Sequence, residues 1–161
     1  MDTGARKNVL HDAIFDCLRS IAIFSELTTN ELNIMAENMH VMKTVPGGVI
    51  FKEADPGDFV CFVVEGTLSV LKNTGGTVKT IAELTAGHSI GEMSAVGDFP
   101  RSATVKSKSN ATLLTLKRHR LNQICTEHPQ IGVKIFKAIA RLLSHHLRKT
   151  SENLSELMPP D

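Results

Sequence analysis

The sequence predicts an α+β domain in which short antiparallel strands close into a compact barrel or roll between helical ends. Apolar residues recur at helical spacing near both termini, and turn-forming residues break the middle of the chain about every ten residues. At 161 residues and 42% hydrophobic content, the chain can bury one core without disulfides or a structural metal. Residues 1–161 therefore read as a single domain, helical over 1–40, strand-rich over 41–117 and helical again over 118–157.

In the first region Val9, Leu10, Ala13, Ile14, Cys17, Leu18 and Ile21 recur at three and four residues, with Asp12, Asp16 and Arg19 outside the stripe. A second helix follows Thr28-Thr29-Asn30-Glu31, where a hydroxyl or amide can cap free N–H groups, and Leu32, Met35, Ala36 and Met39 form its apolar face. The middle region is broken at Pro46-Gly47-Gly48, Asp55-Pro56-Gly57-Asp58, Gly66, Asn73-Thr74-Gly75-Gly76 and Gly87. Segments this short leave no room for the helical crossovers of a parallel sheet. A short helix is expected around Arg118 to Thr126, then a long one from about Gln130 to Leu157, with Pro129 in its first turn. Along the long helix Phe136, Ala140, Leu143, Leu147, Thr150, Leu154 and Leu157 alternate spacings of four and three, a heptad seam. No second domain is expected beyond Pro159-Pro160-Asp161.

Composition excludes several classes. Eighteen Lys+Arg against 17 Asp+Glu give a net charge of +1, which argues against a polyanion-binding tail. Trp and Tyr are absent, so a single-stranded nucleic-acid reader built on stacked aromatics is not expected. Cys17, Cys61 and Cys125 are far apart and flanked by apolar residues, which suits reduced core thiols. The longest apolar run of the strand region, Val60-Cys61-Phe62-Val63-Val64, is far too short for a membrane span. Asp2, Arg6 and Lys7 interrupt the N-terminus, so no secretory signal is read there and a cytoplasmic location is expected.

The stretch 89–105, Ser89-Ile90-Gly91-Glu92-Met93-Ser94-Ala95-Val96-Gly97-Asp98-Phe99-Pro100-Arg101-Ser102-Ala103-Thr104-Val105, interrupts the strand series and leaves room for one helical turn from Met93 to Val96. Its chemistry suits a phosphosugar. A guanidinium gives a bidentate grip on a phosphate monoanion, N–H groups at a helical start add donors, a glycine admits close backbone approach, and a carboxylate accepts from ribose hydroxyls.

Gly-Glu followed by Pro-Arg-Ser-Ala-Thr-Val at this spacing resembles the phosphate-binding cassette of cyclic nucleotide-binding domains, the family of catabolite activator protein and the regulatory subunit of protein kinase A. The likeness extends to Val45-Pro46-Gly47-Gly48-Val49-Ile50-Phe51, Asp55-Pro56-Gly57-Asp58 and Phe62-Val63-Val64-Glu65-Gly66-Thr67-Leu68-Ser69-Val70. It implies an antiparallel, eight-stranded, jelly-roll-like β-roll flanked by N-terminal helices and a long C-terminal helix. It further implies a non-enzymatic receptor for cAMP or cGMP, with no catalytic residue, metal or cofactor. Glu92 would accept the ribose 2′-hydroxyl, Arg101 would hold the cyclic phosphate, and Gly91, Met93, Ser94 and Ala103 would line the pocket with backbone groups. Ser102 would be the discriminating position, and its hydroxyl leaves both purines open with a lean toward cAMP. In the family the long helix is a lid over the base and a dimer seam, which makes His146, Thr150 and Ser151 candidates for base contacts and a homodimer a candidate assembly. Signalling to a protein effector would follow from rearrangement of the C-terminal helices. Two departures stand out: Ala54 replaces a usual glycine, and Ser94 a usual alanine or glycine. No helix-turn-helix follows the long helix, so a stand-alone domain that does not bind DNA is expected.

Plainer readings compete. Glu92 and Arg101 could form a surface ion pair, and the heptad seam could bury the helix against its own roll. The chain could also be a ligand-independent scaffold or oligomerisation module that retains the roll. Lys134, Lys137, Arg141, His145 and Arg148 form a basic stripe that is either a solvated face or a dock for an acidic partner. His88 and Glu92 are four apart, but a metal-bound barrel enzyme wants further histidines nearby, and no Gly-x-Ser-x-Gly elbow is present.

Overall fold

The computed structural model describes residues 3–158, with side chains from residue 8; Asp2 and the Pro159-Pro160-Asp161 end lie outside the described residues. Helix α1 (Thr3–Arg19) leads through a 3-10 turn (Ala22–Phe24) to α2 (Thr29–Glu37). The cap expected before α2 is a full capping box, in which Thr28 Oγ1 accepts from Glu31 N–H and the Glu31 carboxylate accepts from Thr28 N–H at 2.7 Å. Ile14, Leu18 and Ile21 of the expected stripe are buried. Val9, Leu10 and Ala13 are exposed.

Eight strands follow: β1 (His40–Thr44), β2 (Val49–Phe51), β3 (Phe59–Glu65), β4 (Leu68–Thr74), β5 (Thr77–Leu84), β6 (Ser89–Ile90), β7 (Thr104–Ser107) and β8 (Ala111–Lys117). They form two four-stranded antiparallel sheets, in the orders β1-β8-β3-β6 and β2-β7-β4-β5. Because side chains alternate along a strand, β3 and β8 serve two cores at once. Cys61, Val63, Ala111 and Leu113 point between the sheets, against Phe51, Leu68, Val70 and Val105. Val60, Phe62, Leu114 and Leu116 point outward, under the helices. Burial on both faces accounts for the unbroken apolar run at Val60.

Between β6 and β7 stands the single-turn helix α3 (Met93–Val96), and after β8 come α4 (Arg118–Glu127) and α5 (Pro129–Leu157), the latter with Pro129 in its first turn. Ile131, Gly132, Ile135 and Ile139 bury the N-terminal half of α5 in the helix-side core. Lys134 and Arg141 of the basic stripe do meet acidic partners, but within the chain. Lys134 Nζ pairs with Glu31 at 2.7 Å and Arg141 with Glu26, tying α5 to the N-terminal helices. From Ser144 to Met158 every residue is exposed, including Leu147, Leu154 and Leu157 of the heptad seam. The seam therefore does not bury α5 against its own roll beyond Leu143. No helix among the described residues is long and apolar enough to cross a membrane.

Candidate functional site

Residues 89–105 fold as one connected piece around Arg101. The loop between β2 and β3 brackets it: Ala54 N–H donates to Arg101 O at 2.8 Å, Arg101 N–H donates to Asp55 O at 2.8 Å, and Glu53 N–H donates to Thr104 Oγ1 at 2.9 Å. Ala54 adopts φ 69°, the sole positive φ outside glycine among the described residues, so the turn keeps the shape a glycine would take despite its methyl group.

Arg101 is only 4% exposed. Its guanidinium carbon lies 3.9 Å from the Phe51 ring centroid and 4.6 Å from that of Phe59. Nη1 donates to Ser94 Oγ at 3.0 Å and Nη2 to Phe59 O at 2.8 Å, while Nε is buried with no partner. No carboxylate pairs with it among the described residues, so the surface ion pair with Glu92 does not form. Burial pulls its pKa below the usual arginine value, against the opposing pull of Cys61, Asp58 and Asp55. A desolvated cation with an unused N–H is expensive unless an anion completes it.

Gly91 is required at φ +85°, and a Cβ there would meet Arg101 Nη1 at 2.3 Å and Phe59 O at 3.2 Å. Glu92, 7% exposed, accepts from Ser89 Oγ and sits at the start of α3. Ser94 N–H turns back to Gly91 O at 3.0 Å, and the Ser94 hydroxyl is taken by Arg101. Lys72 Nζ holds Ser102 O at 2.6 Å and pairs with Glu53.

These groups open onto a cavity of about 650 Å³. Gly91, Glu92, Met93, Ser94, Arg101, Ser102 and Ala103 all line it, so the structure brings the seven cassette residues together. His146 and Thr150 reach it from α5, whereas Ser151 is exposed and does not line it. Sequence reasoning missed Lys149 and Asn153, which lie on the His146–Thr150 side of α5 at helical spacing, and the wall from Val70 and Leu84. It also missed the Phe51 and Phe59 rings around the guanidinium, whose convergence is tertiary. A larger depression of about 960 Å³ lies beside Val49, Leu71 and Val78, but its one acidic side chain, Glu53, is already spent on Lys72 and Asn73. The cassette cavity is therefore the candidate site.

The cassette is wired to the C-terminal helices through Arg118. Its N–H donates to Asp58 O at 2.8 Å, its Nη1 donates to Gly97 O at 3.0 Å, and the same nitrogen pairs with Asp98.

Comparison with known proteins places the chain in a family and a fold. A family model described as "Cyclic nucleotide-binding domain" matches residues 42–128. The chain is 37% identical over 99 residues to a cyclic nucleotide-gated potassium channel of Mesorhizobium japonicum, covering 61% of this chain and 26% of the channel. It is 32% identical over 96 residues to a lysophospholipase of Aspergillus oryzae, covering 59% of this chain and 6% of that enzyme. The chain thus spans a small part of the length of such curated relatives. A cyclic nucleotide-binding domain from Methylobacillus flagellatus superposes with a TM-score of 0.81 at 24% identity, covering 94% of this chain and 85% of that one. The eight-stranded roll with its helical ends is the fold these domains share. With the family model matching more than half of its residues, the chain belongs to the cyclic nucleotide-binding domain family.

Proposed function

We propose that this chain is a non-enzymatic cyclic nucleotide receptor of the cytoplasm that takes cAMP or cGMP into the cavity beneath residues 146–153. One observation carries the reading: Arg101 lines the cavity while 4% exposed, and among the described residues its guanidinium has no carboxylate partner and a buried Nε–H with no acceptor. A phosphodiester monoanion is the ligand such a group lacks. Glu92 takes the ribose hydroxyl, Gly91 and Ala103 let the sugar phosphate approach, and Ser102 with the α5 side chains meets the purine. Binding draws α5 and the cassette together, and the changed surface is read by a protein effector or a second subunit. A ligand does this only through different affinities for the two arrangements.

Calorimetric titration with cAMP and cGMP, on protein refolded to remove any retained nucleotide, tests the proposal. Micromolar or tighter binding that Arg101→Ala weakens by hundreds- to thousands-fold, about 3 to 5 kcal/mol, is the expected result. Binding by Arg101→Ala within about tenfold of the parent would sink the phosphate assignment.

The exposed Leu147, Leu154 and Leu157 support a second reading, a scaffold that keeps the roll and oligomerises through α5 whether or not nucleotide is present. Light scattering with and without nucleotide separates the two. A dimer indifferent to nucleotide, in protein that gives no heat of binding, favours the scaffold.

A further inference from the structure

Lys72 stands where its own sheet disfavours it. In the β4–β5 register it lies directly opposite Lys79, and like charges facing each other across a strand pair are destabilising. Its side chain is committed elsewhere: Nζ pairs with Glu53 and donates to Ser102 O at 2.6 Å. Glu53 is itself anchored, because its carboxylate accepts from Asn73 N–H at 3.3 Å and its own N–H donates to Thr104 Oγ1 at 2.9 Å. The carboxylate balances the ammonium, so Lys72 meets the cassette as a fixed donor rather than as free positive charge. On either side of Ser102 the β2–β3 loop already grips the segment, through the backbone of Arg101 and the hydroxyl of Thr104. Between those grips, Lys72 is the one side chain that bonds Ser102 among the described residues. Ser102 lines the cavity and Lys72 does not.

We propose that Lys72 is a positioning residue for purine selection: it fixes the Ser102 carbonyl, and through it the angle at which Ser102 is presented to the base, without touching the nucleotide itself. The proposal rests on the reading of the cavity as a cyclic nucleotide site with Ser102 at the purine, and adds to it a residue on a different strand that sets selectivity. A charged donor gives a strong and directional hold on a carbonyl. Without it the peptide after Ser102 is free to turn between two fixed neighbours. The effect of that loss differs from the loss of a nearby positive charge. cAMP and cGMP carry the same phosphate charge, so a purely electrostatic role for Lys72 would weaken both alike, whereas a role exercised through Ser102 changes their ratio.

The test is a double-mutant cycle read as the ratio of the cAMP and cGMP dissociation constants. Lys72→Met and Lys72→Gln, which remove the charge from an unbranched side chain, are each measured in the parent and in a Ser102→Ala background, with thermal melts of the ligand-free proteins to establish folding. Lys72 is partly exposed, and two independent variants keep the cycle readable if one of them is unstable. In the parent background both are expected to shift the ratio by about threefold or more, the scale of coupling within one hydrogen-bond network. In the Ser102→Ala background the same substitutions should leave the ratio within about 1.5-fold. Equal weakening of both nucleotides, with the ratio unchanged, overturns the proposal, since Lys72 would then act only as a charge. An equal shift of the ratio in both backgrounds also overturns it, because Lys72 would not be acting through Ser102. A folded parent that binds neither nucleotide refutes the cyclic nucleotide reading itself.

Discussion

Gly87 and Gly91 offer a matched pair of substitutions that separates backbone strain from damage to the phosphate grip. Both have nearly the same backbone, φ +89° and +85°, but a Cβ at Gly87 meets nothing within 4 Å, whereas one at Gly91 meets Arg101 Nη1 at 2.3 Å. An L-residue forced into the left-handed region costs about 1 to 2 kcal/mol. Reduced freedom of the unfolded chain returns about 0.4 to 1 kcal/mol of this. Gly87→Ala should therefore lose about 1 kcal/mol of stability, roughly 2 to 4 °C in Tm for a domain of this size, and Gly91→Ala more, because it also displaces Arg101 from its bonds to Ser94 and Phe59. Their affinities should diverge. Arg101 is the flexible partner in the clash, but here it is wedged between Phe51 and Phe59 and tied to Ser94 Oγ and Phe59 O. To admit the methyl group it must leave that position and forfeit at least one charge-assisted hydrogen bond to the ligand, about 1.5 to 3 kcal/mol. Gly91→Ala should accordingly bind roughly 10- to 150-fold more weakly, and Gly87→Ala within about threefold of the parent. Thermal denaturation followed by circular dichroism, with calorimetric titration of the same samples, reads both quantities. If both variants lose affinity equally, the effect is general destabilisation and the special role of Gly91 fails. If neither does, Arg101 tolerates displacement and its observed pose is not the one that holds phosphate.

Ala54→Gly should raise Tm by a few degrees at most, because relief of about 1 to 2 kcal/mol of left-handed strain exceeds the added entropy of the unfolded glycine; a fall in Tm would show that the turn carries no strain. Hydrogen bonds from Arg141 hold the Glu26 carboxyl below its ordinary pKa, and for Glu31 burial acts upward but bonds from Lys134 and Thr28 outweigh it. Lowered carboxylate values stabilise the fold above the unfolded pKa, near 4.3, and that contribution is lost as pH falls through the folded values. Tm should thus be level from neutral pH down to about 5 and decline below about 4.5, with a shallower decline in Glu31→Gln; an unchanged slope in that variant would count against the clasp. Arg118→Ala removes an ion pair with the largely exposed Asp98 and the bond to Gly97 O, so stability should fall by about 1 to 2 kcal/mol. Nucleotide should nevertheless protect α4 amides from hydrogen exchange less in that variant, and identical protection would show that Arg118 does not couple the cassette to α4.

The parts of the fold set by local chemistry could be read from the chain, and those set by convergence could not. Gly47, Gly66, Gly75, Gly76 and Gly87 all adopt positive φ at the turns where they were expected to break strands, and Thr28 and Glu31 cap α2 by a rule three residues long. Glu92 and Arg101 were legible because the cassette is nearly contiguous. Phe51 and Phe59 were not, since nothing in their spacing says that both rings flank one guanidinium from far along the chain. On α5 the seam at Leu147, Leu154 and Leu157 suggested one continuous face. The buried face instead runs through Ile131, Ile135 and Ile139, and no later residue of α5 is fully buried. Thr150 lines the cavity and Ser151 does not, because one residue turns about 100° around a helix, and the identity of the inward side depends on docking.

The way α5 is held gives it the mechanics of a cantilever. Its root is fixed by Ile131, Ile135 and Ile139 and by the ion pairs of Lys134 and Arg141, and every residue of its span from Ser144 to Met158 is exposed, with no ion pair to the rest of the chain among the described residues. At 1.5 Å per residue that span is about 20 Å long, and His146, Lys149, Thr150 and Asn153 lie along it rather than at the root. A tilt on the order of 10° about Leu143, the scale of an angstrom-sized adjustment at the nucleotide, would carry the tip roughly 4 Å sideways. That is a large fraction of the roughly 8 to 10 Å between the axes of packed helices, so Leu154 and Leu157 would seat against, or lift away from, any helix laid beside them.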